Sequence, residues 1–175
     1  MLIQRRGQSL IEVMIAITII IVGVAAAVDL ARFNLKSSNT SQSRLVASYL
    51  AMEALEMAVN IRDSNALAQV PFSQGLEQGG DSDAILTFNP LDNSWFFDFS
   101  ANGPNSAATT MYLDQGYYRQ TGAVPTGEAT MFHRLVTLDA SNLANGSLTV
   151  TAVVRWKELG AIKSFSLTRV LYDWK

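Results

Sequence analysis

From Val13 to Val28 the chain reads VMIAITIIIVGVAAAV, an uncharged run between Glu12 and Asp29. With Leu10 and Ile11 added, the apolar stretch contains a single carboxylate, Glu12. As a helix the stretch measures roughly 28 Å, close to the ~30 Å hydrocarbon core of a bilayer. It is apolar on every side, so it cannot be a surface helix with one wet face. From Asp29 to Ser43 the chain turns mixed and polar. Beyond Arg44, Leu45, Tyr49, Met52, Leu55 and Val59 recur at three- or four-residue spacing, with Glu53, Glu56, Asn60 and Asp63 largely on other faces. This pattern predicts an amphipathic helix. It should end near Ala66 to Gln69, because Pro71 disfavours helix in the residue before it. A continuous helix from Gln8 to Ala68 would be roughly 90 Å long.

The rest of the chain predicts strands. Ser147–Lys157 alternates most clearly, with Leu148, Val150, Ala152, Val154 and Trp156 on one face. The short Glu158–Ala161 turn leads into Ile162–Leu171, giving a hairpin. Met131–Leu138 is a further strand, and Ala84–Phe88, Trp95–Phe99, Met111–Leu113 and Tyr117–Arg119 are shorter ones. Gly-, Ser-, Asn- and Thr-rich loops separate them. One long helix followed by an antiparallel sheet is an α+β pattern. The apolar stripe of the helix is expected to cover the sheet beside the last hairpin. Met52→Asp should then be severe and Glu53→Ala nearly neutral.

Composition narrows the chemistry. The chain has no Cys, which excludes disulfides, thiol nucleophiles and thiolate metal sites. Its one His, His133, rules out a poly-His metal site. A net charge of −2 leaves no basic excess for general nucleic-acid binding. Charge is unevenly spread. Residues 69–130 hold Glu77, Asp81, Asp83, Asp92, Asp98, Asp114 and Glu128 against Arg119 alone. Residues 131–175 hold Arg134, Arg155, Lys157, Lys163, Arg169 and Lys175 against three acids. These opposite charges either meet within one domain or dock one subunit onto the next.

The segment MLIQRRG places Arg5 and Arg6 before the apolar run and no acid with them. The positive-inside tendency keeps that end cytoplasmic and sends the rest across. An ordinary signal peptide cut near Ala25-Ala26-Ala27 and a plain membrane anchor both meet a difficulty at Glu12. A carboxylate at the start of an apolar core costs a few kcal/mol unless it is satisfied. Ser9-Leu10-Ile11-Glu12 has capping-box spacing, which offers one local solution.

Gly7-Gln8-Ser9-Leu10-Ile11-Glu12-Val13, after a basic leader and before an apolar helix, resembles the N-terminal signal of type IV pilins and pseudopilins. The resemblance implies a leader of residues 1–7, removed by a prepilin peptidase that cuts after Gly7, and N-methylation of Gln8. It implies that Glu12 neutralises the N-terminal amine of a neighbouring subunit during assembly. Residues 8–29 would form the membrane and filament-core half of the helix, 30–69 its amphipathic half, and 70–175 a β-rich head, in a pilin-like fold. Loss of Arg5 and Arg6 would take the net charge from −2 to −4. Gln8 at the first mature position, where Phe is commonest, and the missing Cys pair lean toward a minor pilin. No Pro interrupts the first half of the mature helix, which leaves Gly23 as its intrinsic weak point.

The implied function is structural: a non-enzymatic pilus subunit with no cofactor. Its partners would be the prepilin peptidase, other pilin subunits and an inner-membrane assembly platform. It would sit in the inner membrane as a single-pass protein, N-terminus cytoplasmic, and then in an extracellular filament. The alternatives are a pseudopilin of type II secretion, or a secreted or anchored β-rich binding domain. Other candidates read as ordinary surface. His133 reads as structural. Asp81 and Asp83 are weak Ca²⁺ candidates without a recognisable loop signature. Asn39 and Asn145 sit in N-glycosylation patterns.

Overall fold

The structure, a computed structural model, describes residues 8–89, 91, 93–101, 103–120, 127–158 and 160–174, with the side chains of Gln8 and Ser9 left aside. Arg5, Arg6 and Gly7 lie outside the described residues. The element order is one helix, α1 (Gln8–Leu67), then β1 (Ser82–Asn89), β2 (Ser94–Asp98), β3 (Thr110–Asp114), β4 (Tyr117–Arg119), β5 (Glu128–Asp139), β6 (Ser147–Glu158) and β7 (Ala161–Tyr172). The α+β pattern read from the sequence is the one observed: a long N-terminal helix packed on a C-terminal antiparallel sheet. The chain divides into two compact units, Met1–Ser43 and Arg44–Lys175.

In the first unit α1 runs unbroken through Gly23. It is described from Gln8, so Ser9 lies inside the helix. Ser9 is therefore not an N-cap, and the capping-box reading of Ser9 and Glu12 does not hold. Apolar side chains from Leu10 to Leu35 are exposed all round. Thr18, polar within this run, turns its hydroxyl back onto the Met14 carbonyl at 2.8 Å. That satisfies a donor that lipid could not. Charges resume with the exposed pair Asp29–Arg32 at 4.0 Å.

In the second unit the helix packs through small residues. Ala47, Leu50, Ala51, Ala54, Leu55 and Ala58 are buried, at three- and four-residue spacing. Of the stripe expected from the sequence, Leu55 is buried and Val59 half-buried, whereas Leu45, Tyr49 and Met52 are 55%, 62% and 47% exposed. The contact face is rotated from the expected one. Alanine forms most of it because a methyl side chain lets the helix backbone lie close to the sheet, and close packing outweighs the larger transfer energy of any single Leu or Met.

The helix stops where expected, but Pro71 does not act alone. Gln69 adopts a left-handed backbone with φ 57°. Gln69 N–H then reaches the Ala66 carbonyl at 3.2 Å, and Val70 N–H the Asn65 carbonyl at 3.0 Å. This is a Schellman ending with Gln in the position Gly usually takes. Asn65 fixes the following turn by donating to the carbonyls of Phe72 and Gln74 at 3.2 and 2.8 Å.

The pairings between these strands are all antiparallel, and one isolated parallel bridge joins Thr87 to Gln120. One edge of β5 pairs with β6 from Phe132 to Asp139, and β6 pairs with β7 along its whole length. The other edge of β5 is shared. Val136, Thr137 and Leu138 pair with β1, which carries β2, whereas Glu128, Ala129 and His133 pair with β3, which carries β4. The sheet thus forks at Arg134 and Leu135. Gly127, at φ 96°, lies beside the β3 backbone, and a Cβ there would collide with the Leu113 carbonyl.

Inward residues of the sheet meet the helix in one core: Ala84 and Leu86, Met111, Phe132, Val136 and Leu138, and Leu148 through Trp156 at alternate positions. A smaller cluster of Ile85, Ala101 and Leu135 occupies the opposite face. β7 is the open edge, and Leu171 is its one buried residue.

Candidate functional site

The first unit offers a surface. An apolar helix exposed on all sides cannot rest in water at a cost of about 25 cal/mol per Å² of apolar area. It needs lipid or other helices around it. α1 is long and apolar enough to cross a membrane, and its most apolar window has no residue buried. Glu12 lies within this surface, exposed among Leu10, Ile11, Val13 and Met14. Among the described residues its carboxylate has no hydrogen-bond or ion-pair partner. Such a group, once surrounded by hydrocarbon, needs a proton or a cation to offset its charge.

Residues 3–28 match the family model of the prokaryotic N-terminal methylation motif. The chain carries the N-terminal signal of the type IV pilin-like family. The match takes in Arg5, Arg6, Gly7, Gln8, Glu12 and the uncharged run up to Val28. No curated protein and no solved structure matches the chain significantly. The motif marks a prepilin-type processing substrate and accords with membrane anchoring through α1.

The head unit contains a polar cluster that the sequence reading missed. Arg134, on β5, is 1% exposed on the helix-facing side. Its Nη1 donates to Glu53 Oε2 at 2.6 Å and to the Leu50 carbonyl at 3.0 Å, and its Nε donates to Gln120 Oε1 at 2.9 Å. Gln120 Nε2 in turn donates to the carbonyls of Arg134 and Thr109 at 2.6 and 3.1 Å. Burial lowers the pKa of Arg134, and the Glu53 carboxylate opposes that shift. Gln120 fills the fork of the sheet, and Arg134 bridges from the fork to the helix. One signal pointed here: in Phe132, Arg134, Val136, Leu138 the charged residue holds an inward position of an alternating strand.

Arg169 makes a second, exposed bridge to Glu56 at 2.8 Å. The two basic residues Arg134 and Arg169 therefore pair with the helix and not with the acidic stretch 69–130.

Asp81 and Asp83 part company. Asp83 Oδ1 accepts from Thr137 Oγ1 at 2.9 Å. Asp81 meets Asp139: a hydrogen bond to Asp139 first, then repulsion from it, raises the pKa of Asp81. Asp139 is held below the usual carboxylate value by hydrogen bonds from Ser141. Among the described residues no group of three or more His, Asp or Glu is placed to hold a metal ion. His133 Nδ1 lies 3.3 Å from Thr110 Oγ1, and its pKa is lowered by burial and then by Arg155. Asn39 lies on α1 and Asn145 in a 3-10 turn, both exposed.

Proposed function

We propose that this chain is a subunit of a type IV pilus-like filament, in the role of a minor pilin, and that its work is structural, not catalytic. A prepilin peptidase removes residues 1–7, Gln8 becomes the methylated N-terminus, and the inner-membrane platform extracts the subunit into a heteropolymer. The observation that carries the reading is Glu12, an exposed carboxylate in the exposed apolar half of α1 and within the matched motif. Packing such helices together replaces lipid as their surroundings, and a neighbour's N-terminal amine supplies a cation for Glu12.

Two variants test this. Gly7→Leu should abolish leader removal, read by N-terminal sequencing or intact mass. Glu12→Gln should leave cleavage intact and lower incorporation into sheared filaments, since an unpaired buried charge costs roughly 3–5 kcal/mol. Normal cleavage in the first variant, or wild-type incorporation in the second, would overturn the reading.

A further inference from the structure

A cleft of about 480 Å³ opens in the head unit between α1 and the ends of two hairpins. Its volume lies within the range of small-ligand sites. Tyr49 and Glu53 come from the helix, Phe88 and Trp95 from the β1–β2 hairpin, and Tyr117 and Arg119 from β4. Phe88 and Trp95 hold each other at 5.2 Å between ring centroids, tilted by 56°. Tyr49 and Tyr117 are 62% and 67% exposed. Folding therefore does not account for these two rings, because most of their surface stays in water.

The charges of the cleft are already taken. Glu53 is held by Arg134 at 2.6 Å. Arg119 lies 3.9 Å from Asp114 and over the Tyr117 ring at 6.0 Å. A carboxylate that already carries a guanidinium is a weak trap for an organic cation, and a guanidinium already beside a carboxylate is a weak trap for an anion. What remains is a charge-compensated lining of aromatic side chains with phenolic hydroxyls, carboxylate oxygens and guanidinium N–H groups beside them. A pyranose ring has the matching chemistry. Its C–H face packs on an aromatic ring, and its hydroxyls both donate and accept at the edge. We propose that this cleft binds a neutral saccharide, stacked on Tyr49 and Tyr117 with its hydroxyls on Glu53 and Arg119. This site is independent of the filament reading.

The test uses the full chain in a detergent without a sugar headgroup. Methyl glucoside, methyl mannoside, lactose and diacetylchitobiose are titrated while tryptophan fluorescence and binding heat are followed, with choline as the cationic control. At least one saccharide should saturate with a dissociation constant of about 0.1–10 mM. Tyr49→Ala and Tyr117→Ala should each weaken it by about tenfold with unchanged melting, since both rings are exposed. Four results would overturn the proposal: no saturation by any of these sugars, sugar binding that survives both substitutions, saturation by choline alone, or a self-association that fills the cleft and is dissolved by Tyr49→Ala.

Discussion

Arg134 of the sheet and Glu53 of the helix meet at 2.6 Å, with the arginine 1% and the glutamate 34% exposed. The pair joins positions far apart in sequence and fixes the helix over the fork of the sheet. Its partners are unequal. Arg134 has given up all of its water, whereas Glu53 has kept part of its own, so the glutamate depends on the pair less than the arginine does.

Removing Glu53 should therefore be costly. Glu53→Ala leaves a buried guanidinium with carbonyl and amide partners only, and should destabilise by about 2–4 kcal/mol, below the upper end for fully buried pairs. The double variant Glu53→Ala/Arg134→Met should recover part of that loss, because Gln120 Nε2 keeps its two bonds to backbone carbonyls while Gln120 Oε1 loses its donor. Thermal unfolding of the detergent-solubilised chain measures both. Equal losses in the single and double variants would mean that the buried charge is not the cause.

The helix face can be tested directly. Met52→Asp, at a half-exposed site, should cost less than about 1 kcal/mol. Ala51→Leu, at a fully buried contact with the sheet, should cost about 1–3 kcal/mol through overpacking. The reverse order of the two melting shifts would restore the face expected from the sequence.

Asp81 and Asp139 predict a pH-dependent substitution. The raised pKa of Asp81 means that the folded state holds its proton more tightly than the unfolded chain does. This contribution is complete below the ordinary value of 3.8 and is lost as pH rises through the raised folded value. In Asp81→Asn the amide donates to Asp139 at every pH. The variant should melt higher than the parent at pH 7 and equal to it near pH 3. A gain that persists at pH 3 would rule out proton linkage as its source.

His133 is the chain's only histidine, so one NMR resonance reports it. Its folded pKa should lie below 6.5, and Arg155→Ala should raise it part of the way back, because burial is the larger cause. With the folded value lowered, the unfolded state takes the proton first as pH falls. The His133 contribution to stability should therefore decline from about pH 6.5 down through the folded value. An unchanged titration in Arg155→Ala would remove Arg155 as a cause.

Strand positions and the helix end were legible because they rest on local signals. The alternation of Leu148 through Trp156, the Gly160 turn and Pro71 all act within a few residues. The helix face was not legible, because large side chains dominate a hydrophobic count while Ala47, Ala51, Ala54 and Ala58 decide how closely two backbones approach. The fork was not legible either. It depends on Gln120, whose role appears only when Arg134 and Thr109 are beside it. The N-terminal motif was the clearest feature of all, since Arg5, Arg6, Gly7 and Glu12 lie close together in the sequence. The aromatic cleft draws on three separate elements and had no local signature.

The alanine face of the helix has a mechanical consequence. A helix seated on methyl groups has little play. Sliding it by one residue would rotate its contact face by about 100°, driving Met52 or a glutamate into the gap and pulling the Leu50 carbonyl away from Arg134. A load applied along residues 44–67 would therefore meet the sheet in shear, shared among many short contacts and two ionic pins, Arg134–Glu53 and Arg169–Glu56. A joint of that kind gives way all at once instead of peeling open contact by contact.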